Sequence, residues 1–376
     1  MALLRELIQP AQLERCGDRS FPVLSMTMHD GIMLQSDRFK KSLASVDQSA
    51  YKVVRRNQLV VGFPIDEGVL YIQQVVDAGI MSPAYDVWNV DETKVDLRYF
   101  ELCMHSPQSM MFYKTNLRGT TARRRSLPKD TLLSLPVPVP SMERQCEIAS
   151  TLDRLQALIR LRQHQLCALD QLIKARFVEM FGDCAQRTRL EDYATLITKG
   201  ASPKWQGVDY SDEGTLFVTS ENVREGYVDL SKKKYLPNKI NEIQPRSVLR
   251  RNDVLINIVG ASIGRAAIFE YDELANINQA VALVRLREKA IRLQYLITFL
   301  NSQEAQRSYM FMKKGGARDN LSLQNISDLM IPVASLVQQD QFVAFVSQVD
   351  KSKLSIQASL DQLETLKQSL MQKYFG

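Results

Sequence analysis

One serine of the chain lies in a pattern typical of hydrolase nucleophiles. Residues 260–264 read G-A-S-I-G and follow an apolar, strand-like run, as the nucleophile elbow of an α/β hydrolase does. Such a serine needs a later histidine as its general base, but His29, His105 and His164, the three histidines of the chain, all precede Ser262. Without that base the hydroxyl is a weak nucleophile. The glycines are better explained by a tight turn whose backbone lies close to a ligand.

Other catalytic patterns are weaker still. Asp77 with the Glu92–Lys94 triplet resembles a nuclease motif, but such spacings are common by chance and this one is not duplicated. Neither a G-x-x-x-x-G-K-[ST] phosphate loop nor a G-x-G-x-x-G fingerprint occurs. The five cysteines are widely spaced and form no C-x-x-C pair, which predicts reduced thiols in a cytoplasmic protein and no metal site. We therefore predict a non-catalytic chain without a cofactor of its own.

Basic residues indicate a nucleic-acid partner. The net charge of +6 is a weak pointer by itself, but the basic residues cluster beside turn signals, where their side chains can reach outward. The clusters are Arg55–Arg56, Arg123–Arg125, Lys232–Lys234, Arg250–Arg251 and Lys313–Lys314.

Three loops combine such residues with small, polar or aromatic ones. Backbone amides, serine and lysine suit phosphates, and arginine and asparagine suit the edges of guanine and adenine. The candidate DNA contacts in the loops are Lys199, Ser202, Lys204 and Trp205; Lys314, Gly315, Arg318 and Asn320; and Arg118, Arg123, Arg124 and Arg125. For each of them a plain solvated loop is the alternative.

The elements that must position these loops occur twice. Pro136 begins a segment that returns at Pro332, an offset of 196 residues, and each copy leads into a long helix-like stretch. A repeat of this length describes two copies of one large unit rather than a solenoid. The two globular parts share further anchors: Val54–Val60 resembles Leu249–Leu255. No apolar run approaches the roughly 20 residues that cross a bilayer, and the N-terminus lacks a signal-peptide core.

Both helix-like stretches carry a seven-residue apolar repeat, which favours a coiled-coil seam. Two seam positions in each copy are instead polar, Arg162 and Arg176 in the first and Ser352 and Ser359 in the second, so neither helix is an ideal self-pairing zipper. We therefore predict that the helices pair with each other, with packing on the neighbouring globular part as the alternative. The seam is predicted at Leu152, Ile159, Leu166 and Ile173 in the first helix and at Val349, Ile356, Leu363 and Leu370 in the second, with Leu155, Leu169, Phe345 and Leu366 at intermediate positions.

With these features together, the chain resembles the specificity (S) subunit of type I restriction-modification systems. The resemblance covers the whole chain and is carried by Leu169–Gly182, which closes the first helix, by Ser220–Val223 and Asn276–Gln279, and by the turn 260–264 with Arg265–Ile268. The usual acidic helix entry is replaced by Gln338–Gln341. The resemblance adds Ser262 and Arg265 to the candidate DNA contacts.

The resemblance implies an α+β fold: two α/β target recognition domains separated by two long helices that form an antiparallel coiled coil. The expected domains are 1–137 and 183–331, and the expected helices are 138–182 and 332–376. Each domain would read one half of a bipartite DNA target, and the helices would set the unread gap. Methyltransferase subunits, which use S-adenosylmethionine, and an ATP- and Mg-dependent restriction subunit would dock on the chain.

Two further hypotheses remain open. The chain could be a coiled-coil scaffold that binds two protein partners without reading bases, or an enzyme that uses Ser262. A DNA library that shows no enriched bipartite motif would favour the scaffold. Hydrolysis of an activated ester that is lost on Ser262→Ala would favour the enzyme.

Overall fold

The computed structural model describes residues 1–12, 14–28, 30–38, 47–117, 127–312 and 320–376. The chain divides into two compact units, one formed by Met1–Gln163 with Gln357–Gly376 and the other by His164–Ile356. The division falls inside the two long helices, because each globular part packs on a portion of both.

The first unit is built on a four-stranded antiparallel sheet with the strand order β2-β9-β6-β7. Its described strands and helices are β1 (Ala2–Leu3), β2 (Ile8–Pro10), β3 (Leu24–Thr27), β4 (Gly31–Leu34), α1 (Gln35–Arg38), β5 (Lys52–Arg55), β6 (Leu59–Val61), β7 (Leu70–Ile72), β8 (Ala78–Met81), β9 (Asp86–Val90), α2 (Leu97–Met104), α3 (Pro107–Asn116), α4 (Lys129–Leu133), β10 (Pro136–Val137) and the first part of α5 (Met142–Phe181). The core joins Trp88 and Phe100 to Leu152 of α5, all of them buried.

The second unit contains a five-stranded sheet, β12-β19-β16-β17-β14, and a three-stranded sheet, β15-β13-β18. Its elements, after the last part of α5, are β11 (Arg187–Arg189), β12 (Ala194–Lys199), β13 (Thr215–Val218), β14 (Gly226–Tyr227), β15 (Tyr235–Leu236), α6 (Ile240–Ile243), β16 (Val254–Asn257), β17 (Ala266–Ile268), β18 (Ala275–Ile277), β19 (Val281–Leu286), α7 (Leu293–Leu300), α8 (Gln303–Met312), α9 (Leu323–Ser327), β20 (Met330–Pro332) and α10 (Leu336–Phe375). Strands β13 and β16–β18 are fully buried, including their polar residues Thr215, Asn257 and Asn276.

The duplication seen in the sequence is present in the backbone. The matched segments Val54–Val60 and Leu249–Leu255 lead into β6 and β16, and each contains an asparagine with positive φ, 69° at Asn57 and 72° at Asn252. Asparagine tolerates this left-handed conformation better than most residues because its short side chain bonds locally. The strand order β2-β9-β6-β7 also corresponds to β12-β19-β16-β17.

A second repeated feature fixes the entry into each long helix. In the first unit the buried Gln145 side chain accepts a hydrogen bond from the Asp96 amide (2.9 Å) just before α2. In the second unit the buried Gln339 accepts one from the Arg292 amide (2.9 Å) just before α7. The same buried amide group therefore satisfies a free helix-start donor in each unit.

The two long helices, each of 40 residues, form an antiparallel pair, and this confirms the predicted fold class. Within the first unit the Arg144 guanidinium lies over the Tyr374 ring (5.6 Å), and Lys367 Nζ donates to Gln156 Oε1 (2.6 Å). As the residue number rises along α5, it falls along α10.

The second unit shows the same antiparallel pairing. Lys353 Nζ lies 2.5 Å from Asp170 Oδ1, and the rings of Phe177 and Phe342 are 5.4 Å apart. Here too α5 and α10 run in opposite directions.

Most of the predicted seam positions are buried or half-buried, and one of the intermediate positions is not. Leu152, Ile159, Ile173 and Val349 are buried, and Leu166, Ile356, Leu363 and Leu370 are half-buried. Leu366, in contrast, is 48% exposed. The prediction placed a second inward-facing residue three positions after each seam residue of α10. In the structure the inward-facing residue lies four positions after it, at Val346, Lys353, Leu360, Lys367 and Tyr374.

The half-buried Lys367 makes the stability of the first unit depend on pH. Burial first, and then the nearby Arg98 and Arg160, lower the pKa of its ammonium. A pKa that is lower in the folded than in the unfolded state opposes folding at neutral pH, and this cost fades as the pH rises towards the ordinary lysine value of about 10.4. Lys367→Met should therefore raise the free energy of unfolding at pH 7 by up to about 1 kcal/mol. Urea titrations at pH 7 and pH 10 should show a smaller difference at pH 10, and an equal difference would contradict this account.

Candidate nucleic-acid interface

Three loops of the second unit meet at one edge of its five-stranded sheet. Strands β12 and β16 both pair antiparallel with β19, so they run in the same direction. They end at Lys199 and Asn257, on either side of the start of β19. The backbone of Asn320 bridges to Val259 just beyond the end of β16. We call the edge defined by Lys199, Asn257 and Asn320 the loop edge. The candidates at this edge are Lys199, Ser262, Arg265 and Asn320, and the candidates Ser202, Lys204 and Trp205 lie on the loop that follows β12.

The first loop follows β12 and is held at both ends. Gly200 passes so close to β18 that a Cβ there would lie 1.8 Å from the Ile277 carbonyl oxygen. A short 3₁₀ helix, Pro203–Gln206, follows, and Gly207 closes it with a φ of 65°. Between these points Trp205 is 84% exposed.

The second loop is the turn 260–264 between β16 and β17. Gly260 and Gly264 have φ values of 82° and 83°, which glycine adopts without strain. The fully buried Asn257 donates from Nδ2 to Ser262 Oγ (3.0 Å) and to the Ser220 carbonyl oxygen (3.0 Å). Because the Ser262 oxygen accepts this bond, its own proton is available to donate to a ligand.

Asn257 positions this serine, and its removal should have two effects. Asn257→Ala leaves the Ser220 carbonyl and the Ser262 hydroxyl without their shared donor, which should lower the free energy of unfolding by about 2 kcal/mol. DNA affinity should fall as well, because Ser262 is no longer held. Ser262→Ala is the matched control: it should weaken DNA binding with little change in stability. Equal urea midpoints for the two variants would show that Asn257 does not hold the turn.

A polar basin of about 480 Å³ opens beside Ser262 and Arg265. Its carboxylates are occupied: Asp229 pairs with Arg224 (3.3 Å), and Glu221 pairs with Lys234 (3.1 Å). Hydrogen bonds from Ser231 hold the pKa of Asp229 below its ordinary value, so this carboxyl is ionised at neutral pH.

Two further cations line the basin. Lys232 and Arg265 have no carboxylate partner among the described residues. With the Ser262 hydroxyl they form a set of donors suited to a phosphate oxygen or a base acceptor. Sequence reasoning missed Asn257 and selected Lys232 only as part of a cluster. A polar residue closing the apolar run of β16 was the available signal for Asn257.

Within the three basic clusters that the structure describes, five side chains form ion pairs. Arg55 and Arg56 pair with Glu14 and Asp77, Arg251 with Asp272, and Lys233 and Lys234 with Glu273 and Glu221. These clusters therefore carry less weight as evidence of a polyanion partner. No group of three or more histidine, cysteine, aspartate or glutamate side chains in the described ranges is arranged to hold a metal ion.

Several predicted contacts lie outside the described residues. They are Arg118, Arg123, Arg124, Arg125, Lys314, Gly315 and Arg318. The described candidates thus all belong to the second unit. None of the described helices is both long and apolar enough to cross a membrane.

The chain is similar in sequence and in fold to known proteins. A family model described as the type I restriction modification DNA specificity domain matches residues 186–365, a range that contains the whole loop edge. Two solved structures share the fold: a chain from a structure of the type I restriction-modification system and its assembly (TM-score 0.65, 17% identity, covering 100% of this chain and 96% of that one), and an S subunit from M. genitalium (TM-score 0.52, 13% identity, covering 100% and 95%).

Curated relatives point the same way. The chain is 27% identical over 320 residues to the type I restriction enzyme EcoBI specificity subunit of Escherichia coli, covering 76% of this chain. It is 19% identical over 279 residues to the MjaVIII specificity subunit of Methanocaldococcus jannaschii, covering 69% of this chain. The matches span just under two thirds of these relatives, 66% and 65% of their lengths. The part of the chain that matches the family model, residues 186–365, is thus similar to the DNA specificity domain of type I restriction-modification systems.

Proposed function

We propose that this chain is the non-catalytic DNA-recognition subunit of a type I restriction-modification complex. Each unit reads one half of a bipartite target, and the second unit does so with its loop edge. The observation that carries the proposal is the convergence of Lys199, Ser262, Arg265 and Asn320 at one sheet edge inside the region that matches the family model.

The chemistry of the complex belongs to its partners in this proposal. Methyltransferase subunits supply S-adenosylmethionine chemistry, and a restriction subunit uses ATP and Mg²⁺, while the chain itself binds no cofactor and acts in the cytoplasm. Apolar side chains on the outer faces of the helices support docking of such subunits. In the first unit Leu158 and Leu161 are 47% and 52% exposed, and in the second Leu354 is 72% exposed.

The direct test maps methylated bases in random duplex DNA exposed to the full chain with its methyltransferase subunits. A single enriched bipartite motif is expected. Arg265→Ala should relax one half of that motif, because this guanidinium lies free in the basin, and the other half should be unchanged. Arg251→Ala, whose guanidinium pairs with Asp272, is the matched control. Methylation without any enriched motif would reject the proposal and favour a scaffold that does not read bases.

The paired helices should set the distance between the two half-sites. One extra heptad in each helix, placed after Gln163 in α5 and before Gln357 in α10, lengthens the pair by about 10 Å, or about three base pairs. The unread gap in the methylated motif should grow by the same amount. Seven residues inserted in the surface turn at Asp212 should leave the gap unchanged. A gap that ignores the helix insertion would show that the helices are not the spacer.

A further inference from the structure

We propose that Trp205 is an apolar wedge that unstacks one base step of the bound duplex. This inference rests on the proposed function and adds to it a distortion of the DNA. It starts from the exposure of the indole, which is 84%, whereas the other tryptophan of the chain, Trp88, is 3% exposed.

The indole is presented by a firmly held loop. The Ala201 amide donates to Gln244 Oε1 (2.8 Å) at the start of the loop, and the Val208 amide donates to the Pro203 carbonyl oxygen (3.0 Å) at its end. Pro203 and Val208 are buried, so the short helix between them is anchored on both sides. A large rigid side chain on such a support loses little conformational entropy when it binds.

The surroundings of the indole select its ligand. Lys199 at the end of β12 and Lys204 on the loop are exposed and have no ion pair with any described residue. They would bring phosphates to the loop, but a neutral indole gains nothing from a phosphate charge. In a nucleic acid, the flat apolar group next to the phosphates on which an indole can stack is the face of a base. In a duplex each base face is covered by the neighbouring base. The indole reaches it only by opening a base step.

A second exposed aromatic residue provides a contrast. Tyr227 is 58% exposed, but it pairs with Ile268, which in turn pairs with Val254 at the opposite end of β16 from Asn257. Tyr227 therefore lies away from the loop edge and has no proposed contact with DNA. It is the matched control for loss of an exposed ring.

The test uses the full chain with its methyltransferase subunits and a specific duplex in which 2-aminopurine replaces single adenines. One position in the half-site of the second unit should brighten on binding, because the probe fluoresces when it is unstacked. Trp205→Ala should abolish this signal and weaken specific binding about tenfold. Trp205→Phe should keep most of both, and Tyr227→Ala should change neither.

The outcomes separate the wedge from the proposed function. If a specific duplex is bound but no probe position brightens, or if Trp205→Ala leaves the signal intact, the wedge is rejected while DNA recognition stands. If no duplex is bound specifically, the proposed function fails, and the wedge fails with it. If Trp205→Ala weakens only the capture of the methyltransferase subunits, the indole is a protein contact and the wedge is rejected.

Discussion

Alanine in place of Gly200 should destabilise the second unit by about 3 kcal/mol and abolish specific DNA binding. The added Cβ would lie 1.8 Å from the Ile277 carbonyl oxygen and 2.8 Å from that of Asn278. Neither oxygen can retreat cheaply, because Ile277 is paired with Val218 in the three-stranded sheet and the Asn278 amide donates to the Val218 carbonyl oxygen. The loop must move instead, and Lys204 and Trp205 move with it.

Urea unfolding followed by circular dichroism and binding to a labelled specific duplex measure the two effects. Gly207→Ala, in the same loop, is the control. Its new Cβ would meet no atom within 4 Å, and only the positive φ of 65° is unfavourable. This variant should lose about 1 kcal/mol and keep most of its DNA affinity. Wild-type stability in Gly200→Ala would mean that the loop does not pass against β18 as described.

Alanine in place of Arg285 should destabilise the second unit still more, by about 3–5 kcal/mol. Arg285 makes a two-pronged ion pair with Asp253, with Nε to Oδ1 at 2.8 Å and Nη2 to Oδ2 at 2.7 Å. The Asp253 side chain is only 2% exposed. Removing the guanidinium leaves this carboxylate buried beside apolar strands, and among the described residues the Arg250 amide (2.7 Å) is its one remaining donor.

The first unit supplies the control for this prediction. At the matching place on β6 and β9, Gln58 Nε2 donates to Asn89 Oδ1 (2.8 Å), and the Arg55 amide donates to Gln58 Oε1 (2.8 Å). Asn89→Ala removes a neutral hydrogen bond near the surface and should cost about 1 kcal/mol. The double change Asp253→Leu with Arg285→Met should recover most of the stability lost in Arg285→Ala, because no buried charge remains. A loss below 1 kcal/mol in Arg285→Ala would contradict the buried pair.

Much of the architecture was predictable from the sequence because it repeats. The apolar heptads and the Pro136 and Pro332 segments predicted two long helices that pair. At the start of the second helix, Ser335 Oγ accepts a hydrogen bond from the Gln338 amide and Gln338 Oε1 accepts one from the Ser335 amide, a capping box that fixes where this helix begins. A seven-residue spacing fixes one inward-facing position in each heptad. It does not decide whether the second inward-facing residue follows three or four positions later. Leu366 was therefore placed inward, whereas Lys367 holds the inward position in α10.

The candidate site was harder to predict, because strand pairing creates it. Lys199 and Ser262 are 63 positions apart, and only the pairing of both β12 and β16 with β19 brings their loops to one edge. The ion pairs between basic clusters and acidic residues could not be predicted either, because only the fold brings residues such as Arg56 and Asp77 together. Asn257 carries no motif, and its role depends on the carbonyl of Ser220 and the hydroxyl of Ser262 that tertiary structure places around it.

The lysines inside α10 have a consequence for pairing between separate copies of the chain. Within the helices the repeat has an offset of 197 residues, as from Ile159 to Ile356, so Gln156 and Asp170 in α5 correspond to Lys353 and Lys367 in α10. The native contacts are Gln156 with Lys367 and Asp170 with Lys353. In an antiparallel pair of two α10 helices, Lys353 would face Lys367 twice, and like charges would oppose each other in a half-buried seam. Charge repulsion therefore disfavours pairing of α10 with a second α10, whereas pairing with α5 places each of these lysines beside a polar or acidic partner.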